Sequence, residues 1–242
     1  MDHFTIIDGE YCCENVPLRT IAHAVGTPVY VYSRATLEVH ADSFRAGVEA
    51  AGDVHLAYAI KANPNLAVIG VMARKGYGAD VVSVGEMSRA LAAGMVPSDI
   101  VFSGVGKTQS EMREALQAGI GQFNIESEVE GVELATIAKS MDRIAVATLR
   151  INPDVDAGTH AKISTGKSDS KFGVPIDQAA DIFDRLAPMP SLELRGLALH
   201  IGSQLLSLAP LEAAFLCAGR LLKQLRARGH CLTHVDLGGG GV

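Results

Sequence analysis

The chain has 242 residues, 48% of them hydrophobic, and a formal net charge of −6. That supplies the core of one large α/β domain or two small ones, and the acidic balance argues against a general binder of nucleic acid or of anionic membranes. No apolar run is long enough to span a bilayer, and Met1-Asp2-His3-Phe4 lacks the basic-then-apolar pattern of a signal peptide.

Short β-rich runs alternate with longer helical patterns. Val29-Tyr30-Val31-Tyr32 reads as a strand with no obvious partner inside the chain, which points to a sheet whose other strands lie elsewhere. His55 to Ile60 reads as a buried strand ended by the turn Asn63-Pro64-Asn65. An amphipathic segment, Leu66 to Lys75, closes at Gly76. A strand over 78–83 leads to a helix over 85–93, closed by Gly94. A strand over 100–103 leads to a helix over 108–118, where Thr108-Gln109-Ser110-Glu111 has capping-box spacing and Gly119 ends the helix. Then come a strand over 122–125, a helix over 128–140, a long apolar strand over 144–151 and another over 194–201. A helix over 210–228 closes at Gly229, and a last strand over 234–237 runs into Gly238-Gly239-Gly240-Gly241.

Seven apolar strands between amphipathic helices imply a parallel sheet covered by helices. A doubly wound open sheet and a (β/α)8 TIM-type barrel both fit, and the count favours the barrel. Polar or special residues end nearly every strand: Lys61, Asp80 and Ser83, Ser103, Asn124 and Glu126, Arg150 and Asn152, His200 and Ser203, and the glycine run. In a barrel those ends converge on the catalytic face. Val242 comes before an eighth strand, so the barrel is expected to be incomplete at its C-terminus.

Lys61 ends an apolar run. Buried there, it would lose its charge more readily and attack a carbonyl, the setting of a Schiff-base lysine; the bland reading is a lysine snorkelling into solvent. Glycines after a strand let backbone N–H groups approach an anion. A loop after the seventh strand is where barrels commonly hold phosphate, and a flexible tail is the alternative. His200 ends a strand and is either a ring-stacking or proton-moving group or a structural histidine. Ser203 could donate to a phosphate. Arg150, inside a strand, needs an anion, which could be a carboxylate such as Asp80; Asp80 needs a donor for the same reason. The polar segment 152–173 exceeds an ordinary connection. Its Asp154, Asp156 and His160 match no metal-ligand spacing, and no metal is expected. Cys12, Cys13, Cys217 and Cys231 fit neither a metal site nor a disulfide framework, as in a cytoplasmic protein with reduced thiols.

Five runs together carry a resemblance: Tyr58-Ala59-Ile60-Lys61-Ala62-Asn63, Gly78-Ala79-Asp80-Val81-Val82-Ser83, Phe102-Ser103-Gly104-Val105-Gly106-Lys107-Thr108, His200-Ile201-Gly202-Ser203-Gln204 and Asp236-Leu237-Gly238-Gly239-Gly240. They resemble the alanine-racemase-like, fold-type III decarboxylases that use pyridoxal 5'-phosphate. The run Asn152 through Gly173, with Asp156-Ala157-Gly158-Thr159-His160-Ala161-Lys162-Ile163-Ser164-Thr165-Gly166, is similar to the diaminopimelate-type members. The resemblance covers essentially the whole chain.

It implies that Lys61 holds the cofactor covalently, that His200 stacks on its ring, and that Gly238, Gly239, Gly240 and Ser203 bind its phosphate. Asp80 and Arg150 would lie around the ring and its hydroxyl. The implied reaction is loss of CO2 from meso-2,6-diaminopimelate to give L-lysine, in a cytoplasmic homodimer without nucleic-acid or membrane partners. The family usually follows its three glycines with Leu-Gly, whereas here Gly241-Val242 follow. It also continues for well over a hundred residues, with an eighth strand, a glutamate for the pyridine nitrogen and a β-domain whose cysteine and tyrosine complete the site. Residues 1–34 would join that β-domain and 35–242 would form the truncated barrel. The expectation is that this chain alone is poorly soluble and inactive in decarboxylation. The competing readings are a non-catalytic cofactor carrier and a cofactor-free Schiff-base lyase whose glycine run holds a substrate phosphate.

Overall fold

The computed structural model describes residues 2–155 and 172–240. The chain divides into two compact units, one of Met1–Asp80 with Gly85–Asp99 and one of Val81–Val84 with Ile100–Val242.

The first unit begins with an antiparallel sheet of β1 (Phe4–Ile7), β2 (Glu10–Cys13) and β3 (Val16–Pro17). Asp8 and Gly9 both take positive φ between paired Ile7 and Glu10, the Asp-Gly signature of a two-residue hairpin turn. Next come α1 (Leu18–Val25) and α2 (Arg34–Val48). Ser33 caps α2 by accepting from the Thr36 N–H. The Glu14 carboxylate accepts from the Ala35 N–H at 2.9 Å and the Ser33 hydroxyl at 2.8 Å, and these bonds hold it below the usual carboxylate range. Then follow β4 (Ala57–Ala59), a 3-10 turn over Ile60–Ala62, α3 (Leu66–Arg74), β5 (Gly78–Val81) and α4 (Val84–Ala92). β4 and β5 pair in parallel, Ala57 opposite Gly78 and Ala59 opposite Asp80. A side chain at 78 would put its Cβ 2.0 Å from the Asp99 carbonyl oxygen, so only glycine lets these backbones meet.

The second unit holds β6 (Ile100–Phe102), α5 (Gln109–Ala118), β7 (Gln122–Ile125), α6 (Glu128–Ser140), β8 (Ala145–Asn152), β9 (Val174–Pro175), α7 (Ile176–Leu186), β10 (Leu192–Leu199), α8 (Ala209–Ala227) and β11 (His234–Asp236). The long strands lie in the order β6-β7-β8-β10-β11, all parallel where their register is defined, with β9 a short partner of β8. β8 is buried at every position but Val146, as a parallel strand with both faces covered must be. Phe102, Phe123, Ile125, Leu149, Ile151, Phe183 and Leu186 are among the fully buried core side chains. α5 carries the complete capping box of Thr108 and Glu111 and ends at left-handed Gly119.

Among the described residues, seven parallel strands alternate with helices α3 to α8, and all of these but α7 stand in the places the sequence pattern indicates. One expectation changes, and another falls largely outside the described residues. Residues 29–32 form no strand; a lone segment without a ladder partner has nowhere to place its backbone hydrogen bonds as a strand. The N-terminal strands are instead β1 to β3, paired with one another. The segment 152–173, including Asp156, His160 and the diaminopimelate-type run, lies for residues 156–171 outside the described residues.

Candidate active site

In the first unit, Lys61 sits on the 3-10 turn that follows β4. Parallel pairing of Ala59 with Asp80 brings the ends of both strands out side by side, and Lys61 Nζ stands 3.8 Å from Asp80 Oδ2. The deep burial that the sequence suggests for Lys61 is not found, since 53% of its side chain is exposed. The turn lifts it off the strand, so the amine is reachable while Asp80 stands beside it.

In the second unit, His200 directly follows β10 and is half-buried. The glycine run directly follows β11 and packs on the segment after β10. Gly238 (φ +67°) and Gly240 (φ +110°) have backbones that L side chains rarely adopt. A Cβ at 238 would lie 2.3 Å from the Leu199 oxygen, and one at 240 would lie 2.0 Å from the Gly202 oxygen. The Gly238 N–H donates to Asp236 Oδ1 at 2.9 Å, and the Gly240 oxygen accepts from the Leu205 N–H at 2.8 Å. The Gly239 N–H points to His200 Nδ1 at 3.5 Å, a long contact that still ties the loop to the histidine. A Cβ at 239 would meet nothing within 4 Å. The loop is therefore a backbone cradle with open space before Gly239 and exposed Ser203 on the neighbouring segment, which fits a phosphate-sized anion.

Below this face lies a layer of buried polar groups. Asn124 Nδ2 donates to Asp236 Oδ2 at 2.7 Å and to Ser103 Oγ at 3.0 Å. Its Oδ1 accepts from Thr148 Oγ1 at 2.6 Å and Gln122 Nε2 at 2.8 Å. One amide thus ties β7 to β8 and to Asp236, which opens the glycine loop.

Arg150 is buried and its NH1 meets Glu126 Oε1 at 2.6 Å, so the anion it needs is Glu126 and not Asp80; Asp80 is paired with Lys61. The Phe172 ring lies 5.0 Å from the guanidinium. Among the described residues the buried lysine is Lys107, whose side chain is 1% exposed. Its Nζ donates to Glu130 Oε1 at 2.7 Å and to the carbonyl oxygens of Gly104 and Asn124 at 2.7 and 2.8 Å. Burial raises the Glu130 carboxyl above its ordinary value, against the opposing pull of Lys107 and of the Glu126 N–H. Glu126 is marked in the sequence as a strand-end residue without an assigned role, and Lys107 and Glu130 are not singled out there. Their signal is weak: a strand-end glutamate with a second one four residues on, and a lysine in a glycine-rich loop. Among the described residues no group of three or more His, Cys, Asp or Glu could hold a metal ion, and no helix is long and apolar enough to cross a membrane.

Residues 35–241 match the profile of the pyridoxal-binding domain of pyridoxal-dependent decarboxylases. The chain is 49% identical to a diaminopimelate decarboxylase of Zymomonas mobilis over 98% of its own length and 57% of that protein's. It is 50% identical to one from Vibrio cholerae over 99% and 58%. Diaminopimelate decarboxylase from Helicobacter pylori, solved with L-lysine, superposes with a TM-score of 0.88 at 39% identity, covering 93% of this chain and 57% of that one. The M. jannaschii enzyme, also with L-lysine, gives 0.88 at 32% identity over 98% and 57%. The chain thus spans about 57% of the length of the relatives it matches.

Proposed function

The chain belongs to the pyridoxal-dependent decarboxylases, and from that membership we propose that it forms the cofactor-binding part of an enzyme that decarboxylates meso-2,6-diaminopimelate to L-lysine. The observation that carries this reading is Lys61, held on an accessible turn at the end of β4 with Asp80 3.8 Å from its amine. When bound, pyridoxal 5'-phosphate would supply an electron sink for the decarboxylation. Lys61 is the attachment point. Asp80 fixes the amine by charge. Gly238, Gly239 and Gly240, with Ser203, would hold the cofactor's phosphate. His200, tied to the loop through Gly239, presents its ring for stacking. Arg150, held by Glu126, offers a cation beside the ring substituents.

The family profile covers residues 35–241, and in this reading residues 1–34 join the remainder of the longer enzyme. The working protein is a cytoplasmic homodimer in this reading. The relatives' lengths mean that turnover is to be sought in the full-length protein.

The test is the visible spectrum of the purified protein with added pyridoxal phosphate, beside Lys61→Ala. A cofactor band present in the wild type and lost in the variant is expected, with CO2 release from meso-diaminopimelate by the full-length wild type alone. A band that persists in Lys61→Ala, or no band in either, refutes the assignment of Lys61.

A further inference from the structure

We propose that Glu126 is a positioning residue of the active face: by gripping Arg150 it sets the geometry in which that guanidinium meets the cofactor, an inference that rests on the reading of this chain as a pyridoxal-phosphate site.

Glu126 is at the end of β7 with only 3% of its side chain exposed. Both oxygens are used. Oε1 accepts from Arg150 NH1 at 2.6 Å and from the Gly104 N–H at 3.2 Å, and Oε2 accepts from the Gly173 N–H at 2.9 Å. One carboxylate therefore joins the loop after β6, the end of β7, the interior of β8 and the residue just before β9. Its own N–H is fixed by Glu130 Oε2 at 2.9 Å, and Glu130 is fixed by Lys107. The result is a buried cluster of two acids and two bases. Such clusters are poor stabilisers compared with apolar packing, so their presence calls for something that needs orienting.

Arg150 is the member that points to it. Among the described residues its NH1 has a carboxylate partner, while no hydrogen bond is made by Nε or NH2, although the residue is only 8% exposed. Buried donors of a cation call for an acceptor. Glu126 on one side and the Phe172 ring 5.0 Å away leave the guanidinium a defined orientation in which to receive one.

The experiment uses the full-length protein and pyridoxal phosphate itself. Cofactor affinity and the absorption maximum are read for wild type, Arg150→Met, Glu126→Gln and the double variant, with melting curves as a check of folding. Glutamine fills the same space but cannot serve Arg150 and both glycine amides as an acceptor. Each single change is expected to weaken cofactor binding about 10-fold or more. The double variant is expected to lie within about threefold of the worse single, because both act through one group. Should Glu126→Gln not fold, Glu126→Asp, which keeps the charge but shortens the reach, is judged by the same criteria. Unchanged affinity in Arg150→Met would overturn the placement of Arg150 at the cofactor and the inference with it. Affinity lost in Arg150→Met but kept in the Glu126 variant, or losses that multiply in the double, overturns the inference alone.

Discussion

Replacing Lys107 by methionine keeps an unbranched side chain, one atom shorter, and removes a charge that is almost wholly buried. At the 2.7 Å separation from Glu130 Oε1, the gross attraction is about 6 kcal/mol for an effective dielectric near 20. Desolvation offsets part of this, and removing one partner of a buried pair typically costs about 3–5 kcal/mol. The carbonyls of Gly104 and Asn124 also lose a donor. We expect a loss in that range, measured by urea unfolding followed by circular dichroism.

The loss should depend on pH. Burial already raises the Glu130 carboxyl in the folded chain, and without Lys107 it rises further. A raised acid means that, as pH climbs through its ordinary range, the unfolded chain releases the proton first; stability is then lost with rising pH. The cost of Lys107→Met is therefore largest at about pH 8 and smaller at about pH 4. Adding Glu130→Gln removes the stranded acid, so the double variant should be less destabilised than the sum of the singles. A cost below about 1 kcal/mol at about pH 8, within the range of an exposed pair, would refute the reasoning, as would a cost independent of pH.

The glycine loop makes a sharper steric prediction. Gly238→Ala and Gly240→Ala each force an L residue into left-handed backbone, about 1–2 kcal/mol before any clash, and drive a Cβ into a carbonyl; both should lower the melting temperature and release the cofactor. Gly239→Ala should leave the melting temperature close to that of the wild type, and an equal drop in all three would contradict the cradle. At the ends of α7 and α8, His230 and Arg228 hydrogen-bond to Asp184, in that order of effect, and hold its carboxyl below the usual range. That stabilisation is present above the ordinary carboxylate pKa and is lost as pH falls through the lowered value. Asp184→Asn should flatten the acid limb of a stability–pH curve, and an unchanged limb would show that the clasp contributes nothing.

The parallel strands were legible because each is a short apolar run between amphipathic segments with glycine stops, and local pattern alone sets such elements. Helix α6, from Glu128 to Ser140, has the bounds its pattern indicates. Helices α1, α2 and α7 were not read. α2 buries only Ala41, so its apolar spacing is faint, while α7 carries a clear stripe at Ala179, Ile182, Phe183 and Leu186 that was obscured by the long polar segment before it. Lys61, His200 and the glycines stood out because a polar or flexible residue at the end of an apolar strand is conspicuous in one dimension.

Sequence by itself determined the alternating α/β order, the strand ends that carry chemistry and the family. Tertiary structure decided who pairs with whom. Nothing local says that Arg150 takes Glu126, 24 residues back, in place of Asp80, or that Asn124 reaches Asp236 across 112 residues. Nor does it say that Lys107 is buried while Lys61 stands half in solvent. Burial and ion pairing depend on which strands lie side by side and in what register, and those long-range contacts exist only once the sheet has formed.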